Sequence, residues 1–311
     1  MPSLRSHLLV AVLKLIRRKR IYASVEGLMR GIADVRAEGP HRPSAALQTR
    51  LSIQLDSHQG HDVYTVSPRD AAPSSAAPVL YWHGGAYVRP INRYHWDLIA
   101  DLVAQTGRTF VVPFYPLAPE HPAPHVIAWA MSLCAAWQAH RPTQLLAFMG
   151  DSAGGGLALA LTLALRDQGL PLPASLALIC PWVDVRVPHP QAEQTARIDP
   201  MLALAGAREA GRLYAGEWGM AHPYVSPLQA DLRGLPPVTL LVGARDILSH
   251  DALTLADRLR DAQVPLHLSV APGMVHVWPV LPIPEAHQAR SLLVQSLRDD
   301  TNASASPSSW A

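Results

Sequence analysis

The sequence has few of the features that mark metal-binding, disulfide-rich or nucleic-acid-binding proteins. Its 311 residues include only two cysteines, Cys134 and Cys180, which lie in apolar stretches and form no CxxC or Cys/His spacing. We therefore expect neither a metal centre nor a disulfide framework. The 26 Lys and Arg residues nearly balance the 24 Asp and Glu residues, giving a formal charge of +2. This balance offers no field that would attract nucleic acid, and small neutral or weakly charged partners fit better.

Long apolar runs are also missing, since no stretch approaches the roughly 20 residues needed to cross a bilayer. At the N-terminus the apolar run 8–13 is followed, not preceded, by the basic cluster 17–20. A secretory signal has the opposite order and ends at a small-residue cleavage site. We therefore expect a cytoplasmic protein in which residues 5–20 form an amphipathic helix. That helix would pack on the body of the protein and could touch anionic lipid or line the entrance to a site.

What the sequence does have is enough apolar material for a large core, because hydrophobic residues make up 49% and charged residues 16%. Alternating residues 50–55 and 61–66, on either side of Gly60, predict an antiparallel pair of edge strands. From residue 78 onward, short apolar runs alternate with helix-length segments. These runs are 79–82, 110–114, 145–149, 176–180, 238–242 and 266–270. The pattern predicts an α/β fold with a mostly parallel eight-stranded sheet flanked by helices.

The spacing of these runs also predicts how the chain is divided. Residues 1–46 look helical and end near a Pro-containing stretch, and the gap between Cys180 and Val238 is too long for one crossover helix. We expect 1–46 to be the N-terminal part of a helical cap and 185–230 to be a cap insertion. The core would comprise 47–184 and 231–298, followed by a disordered tail at 299–311.

A GxSxG motif, Gly150 to Gly154, stands between a predicted strand and a predicted helix. A serine on so sharp a turn has its Oγ pushed above the sheet edge, and the flanking glycines provide the room that the strained turn needs. Ser152 is therefore the candidate nucleophile. The alternative is that Ser152 only caps the following helix.

A serine nucleophile needs a base within hydrogen-bond reach and a carboxylate that orients the base. In folds of this kind the chain order is Ser, acid, His. His276 follows the last predicted strand on a loop that should reach the same sheet edge, which makes it the preferred base. Asp246, four residues beyond the strand 238–242, is the preferred acid. Asp184 is the second choice, and two further aspartates compete less well. These are Asp199 and Asp251.

The stretch His83-Gly84-Gly85-Ala86 directly follows the strand 79–82 and can present bare backbone N–H groups to a developing oxyanion. Gly84, Gly85 and Ala153 are the expected donors, although a purely structural turn would also explain two glycines. We predict that two residues beside these segments contact the substrate. These are Tyr87 and Val277.

These residues together resemble the hormone-sensitive-lipase-like family of bacterial esterases. The resemblance rests on the segments 83–87 (HGGAY), 115–122 (YPLAPEHP), 150–155 (GDSAGG), 224–228 (YVSPL), 243–246 (GARD) and 273–276 (GMVH). It implies an α/β-hydrolase core, a helical cap, no cofactor and hydrolysis of short to medium acyl esters by a triad at Ser152, Asp246 and His276. Family members often pair through the edge strand near the C-terminus, which implies a possible homodimer.

The sequence departs from the family pattern at Ala86, where a third glycine is usual, and at Arg89-Pro90, where a glycine is common. The methyl group of Ala86 could narrow the acyl side of the site. We interpret the chain as a carboxylesterase acting through an acyl-enzyme. Amide hydrolysis of the N-deacetylase or deformylase type stays open, because the same machinery serves it. A non-catalytic small-molecule receptor on the same fold is disfavoured by the intact triad.

Overall fold

An eight-stranded sheet forms the centre of the protein. The computed structural model describes residues 2–70, 76–141 and 144–303. The strands are β1 (Leu51–His58), β2 (His61–Pro68), β3 (Val79–Trp82), β4 (Phe110–Pro113), β5 (Ala147–Asp151), β6 (Leu176–Ile179), β7 (Val238–Arg245) and β8 (Leu266–Val275). Their order across the sheet is β1-β2-β4-β3-β5-β6-β7-β8. The first two pairings are antiparallel and the others are parallel, which confirms the predicted α/β-hydrolase architecture.

Both faces of the sheet are covered, and β3 illustrates why its residues form a continuous apolar run. Leu80 and Trp82 belong to one buried cluster, and Val79 and Tyr81 belong to another on the opposite face. Successive side chains of a strand point to opposite faces, so a strand buried on both sides needs no polar residue. At the edge, by contrast, β1 is largely exposed or half-buried, and the predicted turn at Gly60 joins it to β2.

Eleven helices in the described parts of the chain surround this sheet. They are α1 (Leu4–Leu15), α2 (Arg20–Ala23), α3 (Val25–Glu38), α4 (Ala45–Arg50), α5 (Arg93–Thr106), α6 (Ala123–His140), α7 (Ala153–Asp167), α8 (Ala192–Ala196), α9 (Leu204–Ala215), α10 (Ser249–Asp261) and α11 (Pro284–Ala303). The helix predicted over residues 5–20 is therefore α1 followed by a turn and α2. None of the helices in the described ranges is both long and apolar enough to cross a membrane.

The N-terminal helices contact two different parts of the molecule. α2 and α3 pack against α9, which lies in the predicted insertion, whereas α1 packs against α11. The close approach of α2 to α9 occurs at Gly206, where a side chain would collide with the backbone of Tyr22. The division into cap and core units stays a prediction.

The C-terminal end of the chain differs from the prediction. α11 continues through residues 299–303, where a disordered tail was expected, because this segment extends a helix whose earlier turns are buried at Leu293 and Leu297. The rest of the predicted tail, residues 304–311, lies outside the described residues.

Candidate active site

The turn between β5 and α7 holds Ser152 in a conformation that L-residues rarely adopt. Its φ is 53° and its ψ is −121°. A side chain at Gly154 would collide with the carbonyl oxygen of Trp82, and one at Gly150 would collide with the backbone of Gly154. The glycines of the motif are therefore required by packing. Ser152 stands at the N-cap position of α7, but its side chain makes no capping hydrogen bond there. Such strain is typical of functional positions.

The loops after β5, β7 and β8 bring the three predicted triad residues together. His276 Nε2 lies 2.8 Å from Ser152 Oγ, and His276 Nδ1 lies 2.6 Å from Asp246 Oδ2. The Leu248 N–H donates to the other oxygen of Asp246 over 2.9 Å. The relative exposure of Ser152, His276 and Asp246 is 8%, 4% and 1%. A continuous chain of hydrogen bonds thus runs from a buried carboxylate to the serine hydroxyl.

The neighbouring carboxylate makes the His276 imidazole a stronger base. Burial opposes the charged form of His276, yet the adjacent Asp246 carboxylate raises the pKa of His276 well above its usual value. The carboxylate can hold the Nδ1 proton and leave Nε2 free to accept the proton of Ser152. The arrangement therefore suits general-base activation of a serine.

The second-choice acid, Asp184, is engaged elsewhere. Its carboxylate accepts hydrogen bonds from Arg186, with the shortest contact at 2.6 Å, and from Gln229 over 2.9 Å. The described contacts of His276 do not include Asp184. Asp184 ties the segment after β6 to the far end of the insertion, which is a structural role.

Asp199 lies beside the triad without replacing its acid. Its carboxylate accepts the N–H groups of Met201, Leu202 and Ile247 at 2.7, 2.9 and 3.0 Å. Burial and the neighbouring Asp246 raise the pKa of Asp199 to about 6. Since Ile247 directly follows Asp246, Asp199 holds the acid loop against the insertion.

Sequence reasoning missed the role of Asp151, the residue before the nucleophile. Its carboxylate accepts the Tyr81 hydroxyl at 2.7 Å and the Gly84 N–H at 2.9 Å, and it lies 3.3 Å from His95 Nε2. Burial opposes its charge, but His95 and these hydrogen bonds lower the pKa of Asp151 to about 2. The ionised carboxylate therefore joins the nucleophile turn to the glycine loop after β3. Its place inside the GDSAG motif was the available signal.

One consequence is a correction to the predicted oxyanion donors. The Gly84 N–H already donates to Asp151, so it is not available to an oxyanion. In the described parts of the chain, no acceptor takes the N–H of Gly85 or Ala86, and Ala153 opens α7, where backbone donors are free of intrahelical partners. The free donors near Ser152 are thus one residue further along the glycine loop than expected.

The two predicted substrate contacts, Tyr87 and Val277, occupy different surroundings. Tyr87 is 1% exposed and stacks on Tyr214 of α9 with ring centroids 3.6 Å apart, so it packs the glycine loop against the insertion. Val277 directly follows His276 and has a φ of 47°, which is unusual for a β-branched residue. Contact of either residue with substrate stays a prediction.

Three side chains at the site have donor atoms that a metal ion could share. Cys180, Asp246 and His276 place these atoms within 4.8 Å of one another. Burial raises the pKa of the Cys180 thiol, which keeps it in the protonated form that binds metals poorly. His276 and Asp246 are moreover hydrogen-bonded to each other. The cluster fits a triad better than a metal site.

A cavity of about 520 Å³ lies behind the glycine loop. His83 and Tyr115 line it, but Ser152, Asp246 and His276 do not. Burial lowers the pKa of His83 to about 4, so its imidazole is neutral at physiological pH. The cavity is therefore separate from the triad.

Comparison with known proteins identifies a family and several relatives. The family described as alpha/beta hydrolase fold matches residues 79–280. An esterase of Acinetobacter venetianus is 31% identical over 80% of this chain and 81% of its own length. An acetyl-hydrolase of Streptomyces hygroscopicus is 34% identical over 66% of this chain and 70% of its own length.

Solved structures extend the similarity to nearly the whole chain. The structure of EstE5 from a crystal soaked in p-nitrophenyl butyrate has a TM-score of 0.81 and 27% sequence identity. The match covers 96% of this chain and 99% of that one.

Proposed function

Because the chain belongs to the hormone-sensitive-lipase-like α/β hydrolases and is an esterase-type hydrolase, we propose that it cleaves short to medium acyl esters through an acyl-enzyme intermediate. Ser152 is the nucleophile, His276 the general base and Asp246 the acid that orients it. The observation that carries the proposal is the unbroken hydrogen-bond chain from Asp246 through His276 to Ser152 Oγ.

In the first half of the reaction, Ser152 Oγ attacks the carbonyl carbon of the ester while its proton passes to His276 Nε2. Charge develops on the carbonyl oxygen, and the N–H groups of Gly85, Ala86 and Ala153 are the donors we assign to it. The tetrahedral intermediate collapses as the alkoxide leaves with the proton from His276. The products are an alcohol and an acyl group bonded to Ser152.

In the second half, water attacks the acyl-enzyme and His276 accepts its proton. Collapse of the second intermediate returns that proton to Ser152 Oγ and releases a carboxylic acid. Asp151 supports both halves, because it holds the glycine loop and the nucleophile turn in fixed relation. Apart from the attacking water, no group outside this chain is needed for the proton balance.

We expect a preference for acyl chains of roughly C2 to C8. Each methylene that is buried in the acyl pocket stabilises the complex by about 0.8 kcal/mol, and methylenes beyond the pocket contribute nothing. Specificity constants should climb over the first carbons and then fall once the chain protrudes. The insertion carries charged residues such as Glu209 and Arg212, which form a surface ion pair, so we expect its outer face to be more polar than the broad apolar face of an interfacial lipase.

The test combines Ser152→Ala with a graded series of p-nitrophenyl esters from acetate to palmitate and matching acyl amides. Ser152→Ala should lower kcat by about 10⁵-fold or more, because the residue acts only through Oγ. Ser132→Ala, on α6, is the matched control and should keep wild-type rates.

A fluorophosphonate should label Ser152 in the wild-type protein, as located by mass spectrometry of the labelled peptide. Labelling of another serine would refute the assignment. Faster hydrolysis of amides than of the matched esters would move the proposal to amide chemistry, and preference for palmitate over butyrate would identify a lipase.

A further inference from the structure

The first 29 residues carry most of the exposed large apolar side chains of the described chain. Twelve such side chains are exposed in the described ranges, and seven of them lie in this segment. They are Leu4, Leu8, Val12, Leu15, Ile16, Val25 and Met29. Since this segment is less than a tenth of the protein, the concentration calls for a partner that covers it.

One face of α1 is covered by the protein, and the opposite face carries exposed apolar side chains. Ser6, Val10 and Leu13 are buried against the body of the molecule. Leu4, Leu8, Val12 and Leu15 have relative exposures of 85%, 63%, 42% and 82%. At about 100° per residue these four fall within an arc of about 80°, on the side turned away from the core. We call these four residues the α1 stripe.

Basic residues border the α1 stripe, and acidic residues are missing from its surroundings in sequence. Arg5 lies on one side of the stripe and Lys14 on the other, and both are exposed. Arg17 and Arg20 follow immediately after the helix and are exposed as well. The first acidic residue of the chain is Glu26. An apolar strip with cationic flanks is the pattern of helices that lie in the interface of anionic membranes.

Hydrogen bonds hold α1 in this orientation. Ser6 Oγ donates to Glu285 over 2.6 Å, and Ser3 Oγ donates to the same carboxylate over 3.1 Å. Ser3 also caps α1 by accepting the N–H of Ser6. Glu285 lies in the first turn of α11, so the stripe is a fixed outer feature of the folded protein. It needs no rearrangement before it can meet a flat surface.

We propose that the α1 stripe and its basic border form a docking site for an anionic lipid bilayer, on which α1 lies parallel to the surface. The charge is complementary to acidic headgroups, and leucine side chains reach the acyl boundary. A second copy of this chain fits less well, because a symmetric contact would bring two basic borders together. This docking is independent of ester hydrolysis.

The test measures binding of the full chain to sedimented vesicles of phosphatidylcholine, with or without about one third phosphatidylglycerol. Wild-type protein should bind the anionic vesicles and be released at about 0.5 M salt, where charges are screened beyond roughly 4 Å. The double variant Leu8→Glu/Leu15→Glu should lose at least about tenfold in partitioning. The matched control, Leu55→Glu/Leu170→Glu, exchanges two other exposed leucines and should bind like the wild type.

The basic border is tested separately. Lys14→Gln/Arg17→Gln should weaken partitioning about fivefold per residue, which corresponds to about 1 kcal/mol each. The control Arg50→Gln/Arg141→Gln makes the same charge change elsewhere and should have little effect. Ser152→Ala protein should bind as the wild type does, so that failure of the esterase proposal would not affect this result.

Three outcomes of the vesicle assay would overturn the proposal. They are equal binding of wild-type and Leu8→Glu/Leu15→Glu protein, equal binding to neutral and anionic vesicles, and absence of binding to either. A wild-type dimer in analytical ultracentrifugation that Leu8→Glu/Leu15→Glu converts to monomer would also overturn it, because a second copy would then cover the stripe.

Discussion

The sheet edge that carries the triad and the first turn of α10 are both buried, but they differ in backbone strain and in the pairing of their polar groups. Nine non-glycine residues of the described chain have positive φ, and five of them surround the triad. They are Ala86, Tyr87, Ser152, Cys180 and Val277. The polar groups of the triad are nevertheless all paired. In α10, Asp251 lies in regular helix, but its Oδ2 finds no hydrogen-bond partner in the part of the chain that the structure describes.

The difference also shows in the surroundings of the two aspartates that follow β7. Asp246 has a cationic partner available in His276, whereas Asp251 lies near a second carboxylate. Burial and Asp184 raise the pKa of Asp251 to about 7, although Arg186 acts in the opposite direction. Backbone strain is therefore kept where catalysis needs a fixed geometry, and an unpaired carboxylate elsewhere is relieved by taking up a proton.

The largest effect is expected when a buried, hydrogen-bonded carboxylate loses its charge. Asp246→Asn should lower kcat for p-nitrophenyl butyrate by about 10³- to 10⁴-fold, because the imidazole loses the group that sets its tautomer and stabilises its charge. Asp184→Asn is the matched control and should stay within about threefold of the wild type. Equal losses in the two variants would mean that the triad acid has been misassigned.

The pH profile sharpens the same test. Activity requires that His276 Nε2 carries no proton. Burial lowers the pKa of His276, but Asp246 raises it above its usual value. In the wild type, activity should therefore fall on acidification at a pH above the ordinary imidazole value of about 6.5. The acidic limb should move to lower pH in the residual activity of Asp246→Asn. A limb that stays in place would show that another group titrates.

A smaller effect, on stability, is expected from Asp251→Asn. The folded pKa of Asp251 is about 7, above its ordinary value of 3.8, so the folded state binds more protons between these values. The stability that this group contributes is full below about pH 4 and is lost as pH rises through 7. Because asparagine is neutral throughout, the variant should gain on the order of 2 kcal/mol over the wild type at pH 8 and little at pH 4.

Urea unfolding at the two pH values measures this gain. Asp261→Asn, exposed at the end of the same helix, is the control and should shift the midpoint little at either pH. A loss of stability in Asp251→Asn that is the same at both pH values would show that the carboxylate makes a necessary contact.

The proximity of the three proposed triad residues was predictable because it depends on chain order. Ser152, Asp246 and His276 each follow a strand whose apolar run was recognisable, and parallel strands end at one edge of the sheet. The Gly84 assignment was wrong because it depended on which carboxylate meets that N–H, and Asp151 reaches it across the strand pair β3 and β5. Contacts between separate segments of this kind leave no spacing in the sequence.

The ends of two strands also differ from the prediction. β8 runs to Val275, beyond the predicted run 266–270, because it continues to pair with β7 through an irregularity beside Gly243. β5 similarly continues through Gly150 and Asp151, whose pairing partners are Trp82 and Ile179. Pairing with a neighbouring strand overrode local residue preferences at both places.

The smallest effect is expected at Ala86, where a methyl group strains the backbone beside the triad. Ala86 has a φ of 55°, and an L-residue in this region costs about 1–2 kcal/mol that glycine avoids. Glycine also makes the unfolded chain more flexible, so Ala86→Gly should raise the free energy of unfolding by only about 0.5–1 kcal/mol. Ala46 in α4 has ordinary helical geometry, so Ala46→Gly should instead lower the free energy of unfolding by about 1 kcal/mol, and the two signs are opposite.

Removing the methyl group of Ala86 should also widen the acyl side of the site, so kcat/KM for p-nitrophenyl octanoate should rise relative to acetate. Urea unfolding of both variants and the ratio of the two specificity constants measure these effects. If Ala86→Gly destabilised the protein as much as Ala46→Gly does, the methyl group would be packing the glycine loop, and the strain at this edge would have to be sought in Tyr87 or Val277.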